Sequence, residues 1–323
     1  MDKDTKLQLY FDKINLEKLT PGSIITFDLY IKAQNKYVLY KNRNLTISFD
    51  DIKRLLEYSR GNIFIHKKDR KNYRDYLEAN IENILKSENV PIVKKAEALY
   101  ESAVNVIEDV FENPRSGPVI KRSKQMVNHT VDFILGDEEA FVNLLKIRKH
   151  DYYTYTHSVN VCTFLVSFAK TAGINDIKTL KDVGEGGLLH DLGKSMVPSE
   201  IINKPTKLTK SEWEIMKKHP EYGVKIAKET RKISEVSLAI IGQHHEKISG
   251  NGYPLGLRGE ELSVFARMAS IVDVYDAITT NRSYSKARTP VEAAKFLLDH
   301  KGDFDEKLIM KFIKMVTLKE NNK

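Results

Sequence analysis

The sequence of 323 residues has one cysteine, one tryptophan and no uninterrupted apolar run of about 18 residues, the minimum for a membrane-spanning helix. A single cysteine excludes an internal disulfide and a cysteine-ligated structural zinc site, so Cys162 is expected to be a small core residue. The N-terminal hexapeptide carries two acids and no apolar stretch, which excludes a secretory signal. These absences predict a cytoplasmic protein without membrane insertion.

The charge balance is basic but dispersed. Lysine and arginine number 52 against 44 acids, a formal net charge of +8. This charge suits a polyanionic ligand without separating a nucleotide from a nucleic acid. The densest basic run, 66–74, contains an acid and only one aromatic residue, which predicts a solvated helix start. No nucleic acid polymer is therefore expected as a partner.

The chain length and the residue periodicity predict two domains. Segments 23–33, 36–41 and 62–67 are rich in β-branched and aromatic residues, and helical spacing follows a capping residue in 48–59. From Tyr73 onward the periodicity is helical throughout, and we place the boundary near Gly136. The prediction is a small α+β domain with a helical linker over 1–136 and an all-α bundle over 137–323, with Trp213 in the core of the bundle.

Five of the nine histidines lie in the helical part between positions 157 and 245. Each has an informative neighbour, and two aspartates accompany them. Imidazole and carboxylate ligands together suit a divalent transition metal such as iron, manganese or zinc. The candidate metal-binding residues are His157, His190, Asp191, His219, His244, His245 and Asp273.

The stretch Gly187–Lys194, GLLHDLGK, places a histidine and an aspartate side by side. Adjacent helical residues point about 100° apart, so His190 and Asp191 cannot chelate one ion as an i, i+4 pair can. At a helix end the carboxylate could be shared between two ions, since it has two oxygens. Gly193 is expected to end the helix, which would bring Lys194 over the metals to neutralise charge on a phosphate.

The ordered motifs HDLGK, HPEYG, HHEKISGNGYP and ARMASIVDVYDAITTNRSYSK resemble the HD-GYP family, the branch of HD-domain metal phosphohydrolases that degrades cyclic di-GMP. The resemblance covers roughly Tyr152 to Leu298 and implies an HD-GYP helical bundle. The N-terminal domain resembles the small α/β region that precedes HD-GYP domains in some members. That implies a regulatory or dimerisation module.

The resemblance also implies roles for individual residues. The seven candidate metal-binding residues match the family's ligands, Asp191 and Lys194 match its catalytic groups, and a further set matches its substrate contacts. The substrate set is Lys194, Gly252, Tyr253, Pro254, Arg282, Tyr284 and Lys286. Three departures are Tyr153 in place of a glutamate that holds a third metal, Ser249 in place of the loop's usual aspartate, and Leu262-Ser263 in place of Ile-Pro.

The implied reaction is hydrolysis of cyclic di-GMP to pGpG, with a second cut to GMP left open. A hydroxide shared by two divalent ions, iron or manganese, would attack the phosphodiester. Two alternatives stay open: another cyclic dinucleotide or nucleotide phosphate as substrate, and a non-catalytic receptor that signals through a partner protein. A homodimer and a signalling partner are further expectations.

Several acidic residues near the motifs have less definite interpretations. Asp276 is either a partner that supports a metal ligand or a helix cap. Glu185 and Glu246 are interpreted as solvated or supporting residues rather than ligands. The four remaining histidines, His66, His129, His150 and His300, are assigned to no site.

Overall fold

The fold is described from a computed structural model, which covers residues 9–34, 36–148, 154–230, 233–281 and 286–320. It divides into two compact units, Met1–Ser102 and Ala103–Lys323. Among the described residues, no helix combines the length and the apolar character needed to span a bilayer.

The first unit combines antiparallel strands with helices, as the sequence predicts. One sheet has four strands in the order β1-β6-β3-β4, and β2 pairs with β5. The strands are β1 (Phe11–Ile14), β2 (Ile24–Ile25), β3 (Leu29–Ala33), β4 (Lys36–Lys41), β5 (Leu45–Thr46) and β6 (Ile63–His66). The helices that begin in this unit are α1 (Phe49–Ser59), α2 (Arg70–Lys86) and α3 (Ile92–Glu112).

Local sequence signals account for these elements. Ile63 and Ile65 alternate with less buried neighbours along β6, which gives the sheet one apolar face. Helix α1 begins at Ser48, whose side chain accepts from the Asp51 amide while the Asp51 carboxylate accepts from the Ser48 amide. The predicted hairpin between β3 and β4 is confirmed by their antiparallel register.

The second unit is helical. A β-bridge joins Ser249 to Arg258 inside a loop. The helices that begin in this unit are α4 (Gly117–Gly136), α5 (Ala140–Ile147), α6 (Thr154–Ala172), α7 (Ile177–Leu189), α8 (Ser199–Ile202), α9 (Lys210–Met216), α10 (His219–Glu229), α11 (Glu235–Gln243), α12 (Val264–Thr279), α13 (Pro290–Asp299) and α14 (Glu306–Glu320).

The division between the units lies earlier than the boundary expected near Gly136. Helix α4 packs on α7: a Cβ added to Gly184 would lie 2.9 Å from Val127 Cγ1, and Lys124 forms an ion pair with Glu185 at 3.1 Å. Helix α4 therefore belongs to the helical unit. Its periodicity could not show this, since an amphipathic helix buries its apolar face equally well against either neighbour.

Helix α6 forms the centre of the bundle. It is buried on almost every side, and its aromatic residues meet those of other helices; for example, Phe164 makes an edge contact with Tyr275 at 5.5 Å. Cys162 is 3% exposed on this helix, which confirms its prediction as a core residue. Burial raises the pKa of its thiol to about 12, so the thiol stays protonated.

Gly193 acts through its small size and not as a helix terminator. Helix α7 has already ended at Leu189, and Gly193 lies within a 3-10 helix, Leu192–Met196, whose backbone packs against α10. A Cβ at Gly193 would overlap the backbone carbonyl of His219 and the amide of Gly223. The expectation that Gly193 ends a helix is therefore wrong, because its role is to allow two backbones to approach closely.

We predict that Gly193→Ala destabilises the helical unit by about 1–3 kcal/mol, the usual cost of overpacking, because the added methyl pushes α10 away. His219 is the first residue of α10, so bound metal should fall as well. Thermal unfolding and metal analysis measure both effects. Gly302→Ala is the matched control, since a Cβ there meets nothing within 4 Å. Equal melting temperatures for the two variants would contradict this packing role.

Candidate functional site

The candidate metal-binding residues lie at the ends and on the inner faces of helices in the second unit. His157 lies in the first turn of α6 and Asp273 lies on α12. The other five lie at or beside helix ends, where side chains from different helices can converge. These are His190 and Asp191 after α7, His219 at the start of α10, and His244 and His245 after α11.

The first cluster joins α6, α7 and α12. His157 Nε2 lies 2.9 Å from Asp273 Oδ1 and 3.2 Å from His190 Nε2, and His190 Nε2 lies 3.4 Å from Asp191 Oδ2. His157, His190 and Asp191 offer one ligand atom each within 4.8 Å of one another. The cluster therefore has the composition and size of a site for a single metal ion.

The second cluster consists of His219, His244 and His245. His219 Nε2 lies 3.2 Å from His244 Nε2 and 3.4 Å from Asp191 Oδ1. Asp191 thus directs one oxygen to each cluster, and Asp273 also reaches both, since its Oδ2 lies 3.6 Å from His245 Nδ1. All seven candidate ligands are brought together, and the two carboxylates lie between the two sets of rings.

Backbone carbonyls fix the orientation of three of the rings. Because a carbonyl oxygen only accepts, Nδ1 must carry the proton, and Nε2 of the neutral ring then has a lone pair. The Nδ1 bonds are His190 to Gly187 O at 2.8 Å, His219 to Met216 O at 2.8 Å, and His244 to Ile241 O at 3.0 Å.

These residues fit a divalent metal centre. The Nε2 lone pairs of His219 and His244 face each other at 3.2 Å, which is repulsive unless a cation lies beside both. Asp191 Oδ1 is buried and accepts no hydrogen bond from the residues that the structure describes. Neutral imidazoles and ionised carboxylates are the forms in which these groups bind metals.

Burial keeps the rings of the second cluster neutral. Burial, followed by repulsion from a protonated His245, lowers the pKa of His219 to about 3. Burial also lowers the pKa of His245 to about 4, although the carboxylate of Asp273 acts in the opposite direction. Burial also holds the pKa of His244 well below the usual range. These rings therefore offer lone pairs at neutral pH.

The two carboxylates are stabilised in the ionised form. Burial alone would raise the pKa of Asp191, but the Lys194 ammonium and the ring of His190 outweigh it and hold that pKa well below the usual range. For Asp273 burial is outweighed in the same way, first by the close contact of its carboxylate with the His157 ring. The negative charges therefore remain at the centre across the physiological pH range.

Asp276 supports a ligand, which decides between the two alternatives left open by the sequence. Its carboxylate is fully buried; Oδ2 lies 2.8 Å from His157 Nδ1, and Oδ1 accepts from Asn160 at 3.0 Å and from Arg148 at 3.4 Å. The carboxylate therefore orients the imidazole, so that His157 Nε2 points to the first cluster.

A pocket of about 660 Å³ opens beside the two clusters. Lys194 lies on its wall, with Nζ 2.6 Å from Asp191 Oδ2. The other lining residues include apolar side chains of α8 and α12, two further lysines and two aromatic rings. The lining residues include Ile201, Lys204, Lys207, Leu208, Trp213, Met216, His219, His245, Tyr253, Asp273 and Ile278.

The glycine-rich loop contributes one side chain to this pocket. Tyr253 stacks on the ring of His245 at 4.7 Å and 30°. Gly252 and Pro254 are both described by the structure, but neither lines the pocket. A Cβ added to Gly252 would meet the backbone of Glu246 and Lys247. Gly252 therefore allows a close approach of two backbone segments, whereas Gly250 adopts the left-handed conformation at φ 81°.

The loop is held by Glu246, a role that the sequence did not reveal. Its buried carboxylate accepts from the amides of Leu255 at 2.6 Å, Gly256 at 3.2 Å and Leu257 at 3.1 Å. Glu185 is also buried and accepts from Ser237 at 3.1 Å. The solvated alternative is therefore excluded for both glutamates.

Two residues of the predicted substrate set lie outside the described part of the chain. They are Arg282 and Tyr284, and Tyr153 also lies outside it. Lys286 is described and exposed, but it does not line the 660 Å³ pocket. The assignment of these residues to the substrate stays a prediction.

Trp213 was expected in the core, and that prediction is wrong. The side chain is 44% exposed and lies on the pocket wall. An apolar residue on a short helix gives the same sequence signal whether it faces a core or a ligand pocket. The only hint in the sequence was that Trp213 lies six residues before His219, the histidine of the HPEYG motif.

The model of the HD domain family matches residues 139–308, which is more than half of the chain. The chain therefore belongs to the HD-domain family. Bd1817, an HDG"Y"P protein from Bdellovibrio bacteriovorus, has a similar structure, with a TM-score of 0.66 and 26% identity over 95% of this chain and 99% of that one. The predicted membership of the HD-GYP branch is confirmed, as is the predicted fold class.

Curated relatives are also similar in sequence. Cyclic di-GMP phosphodiesterase PA4108 of Pseudomonas aeruginosa is 34% identical over 69% of this chain and 54% of its own length. 3'3'-cGAMP-specific phosphodiesterase 2 of Vibrio cholerae is 33% identical over 57% of this chain and 35% of its own length. The chain thus spans about half or less of these relatives.

We predict that Glu246→Gln loosens the glycine-rich loop, because a side-chain amide cannot accept from three backbone amides as a carboxylate does. Loss of charge-assisted bonds of this kind costs about 1.5–3 kcal/mol. The melting temperature should fall and proteolysis at 250–259 should accelerate. Glu260→Gln is the matched control, since it removes an exposed charge near the end of the loop. If both variants lose equal stability, Glu246 does not anchor the loop.

Proposed function

We propose that this chain hydrolyses a phosphodiester bond of cyclic di-GMP. The observation that carries the proposal is the position of Asp191, which directs one oxygen to each histidine cluster while Lys194 contacts it from the pocket wall. The names of relatives such as the Pseudomonas aeruginosa phosphodiesterase support the choice of substrate.

The seven ligands would hold two divalent ions, with iron or manganese as the ions that this ligand set suits. When bound, such ions lower the pKa of a water molecule and polarise a phosphoryl oxygen. Asp191 and Asp273 would hold the two sites at a fixed separation. Carbonyl-bound imidazoles would keep the ligands oriented while the substrate charge changes.

The side chains of the pocket then have separate tasks. The Lys194 ammonium would contact a non-bridging phosphate oxygen and stabilise the charge that develops there. A water oxygen forms the new bond to phosphorus and the ribose 3′ oxygen leaves, which gives pGpG. Arg282, Tyr284 and Lys286 remain our proposed contacts to the phosphates of the substrate, together with the glycine-rich loop.

A second candidate substrate is 3′3′-cGAMP, because several relatives in Vibrio cholerae are named for that specificity. The receptor alternative is less well supported, since every predicted ligand of a two-metal site is present and converges. For the first unit we propose a regulatory or dimerisation role. Its partner could be a second copy of the chain or a signalling protein.

We predict that Asp191→Asn reduces turnover of cyclic di-GMP by at least about 10²-fold, the scale seen when a charge-stabilising group is removed from an active site. The amide keeps the side-chain volume but cannot supply two anionic oxygens to neighbouring metals. Product chromatography measures turnover, metal analysis counts bound ions, and circular dichroism checks the fold.

Asp299→Asn, at the exposed end of α13, is the matched control. Gln243→Glu is unsuitable, because Gln243 accepts a hydrogen bond from the Ser263 amide. Unchanged turnover in Asp191→Asn contradicts the proposal. Binding of cyclic di-GMP without product from the metal-loaded wild-type protein would favour the receptor. If 3′3′-cGAMP is hydrolysed faster than cyclic di-GMP, it is the preferred substrate, and the proposed phosphodiester hydrolysis still holds.

A further inference from the structure

Trp213 is an exposed aromatic ring on the wall of the 660 Å³ pocket that opens beside the two histidine clusters. The chain has only this tryptophan, and 44% of it remains accessible. Large apolar rings are usually covered, because their burial contributes strongly to folding. An indole held open beside a predicted phosphate site is better explained by a ligand that covers it.

The ring is connected to the metal centre through aromatic contacts. Trp213 meets Tyr253 edge-on at 6.0 Å and 79°, and Tyr253 stacks on His245 at 4.7 Å. The ring of Tyr253 therefore lies between the indole and His245, a predicted metal ligand. In a nucleotide a ribose separates the phosphate from the base over a distance of this scale.

The helix that carries Trp213 is held firmly at both ends. Thr209 and Glu212 form a capping box at the start of α9, and Lys204 binds the Glu212 carboxylate at 2.6 Å. At its end the Met216 carbonyl accepts from His219 Nδ1. One short helix therefore positions both the indole and a predicted metal ligand.

The surroundings of the indole suit a nucleotide. Lys207 supplies positive charge at the pocket wall, and Ile201, Leu208 and Ile278 supply apolar surface. A purine base attached to a phosphate has both characters. Stacking on an aromatic ring also serves every base, because each base has a π-face.

We propose that Trp213 is the stacking surface for a purine base of the substrate, an inference that rests on the proposed cyclic dinucleotide hydrolysis. The indole covers one face of the base while the attached phosphate lies at the metal centre. Stacking strengthens binding of purine dinucleotides generally and does not separate guanine from adenine.

The first experiment uses the emission of this single tryptophan. The 323-residue protein is treated with a chelator, so that nothing turns over, and is excited at the red edge of its absorption band. Cyclic di-GMP and GMP should quench the emission in a saturable manner, whereas ribose 5-phosphate, which has no base, should not. Binding is measured independently by the anisotropy of fluorescently labelled cyclic di-GMP.

The second experiment compares variants of the metal-loaded protein. Trp213→Ala should raise KM for cyclic di-GMP by roughly tenfold to a hundredfold, the range produced when a stacking ring is removed. Trp213→Phe should restore most of the loss. Ile215→Ala, on the same helix but outside the pocket lining, is the matched control and should leave KM for cyclic di-GMP unchanged.

The outcomes separate this inference from the proposed function. Anisotropy that reports binding without quenching, or an unchanged KM in Trp213→Ala, overturns the stacking role and leaves the hydrolase intact. If chelation abolishes binding, the KM comparison alone decides. If the metal-loaded wild-type protein neither binds nor cleaves any cyclic dinucleotide, the proposed function fails, and this inference with it.

Discussion

The site depends on one buried carboxylate, Asp191, which lies between two sets of imidazole rings. Removing such a charge from water is costly, and the protein offsets this cost with the Lys194 ammonium and the surrounding rings. Its two oxygens set the spacing of the two clusters, since each lies 3.4 Å from a different histidine. The remaining ligands are arranged around this group.

Helix ends make that arrangement possible. His190 and His219 each bind a carbonyl of the preceding turn through Nδ1, so the backbone itself determines which nitrogen faces the centre. The close approach of the backbone at Gly193 to α10 then brings the two helix ends together. Glu246 positions the glycine-rich loop. Its buried carboxylate accepts from three amides of the loop, which holds Tyr253 against His245.

The candidate ligands named from the sequence converge in the structure, whereas the supporting residues were poorly predicted. Histidines and aspartates at motif spacing carry a chemical signature, so all seven predicted ligands could be named before any geometry was known. Asp276 was left undecided, because a carboxylate one turn beyond Asp273 could orient a ring or cap a helix. Trp213 was misplaced, because an apolar residue at helical spacing looks the same in a core and on a pocket wall.

The sequence alone determined the fold class, the residue types of the metal centre and the HD-GYP resemblance, since periodicity and motif order are local properties of the chain. The tertiary structure decided that α4 packs on α7, that Gly193 permits a close approach of two backbones, and that Trp213 is exposed. Each of these depends on which surface packs against which, and packing partners distant along the chain leave no mark in the local pattern.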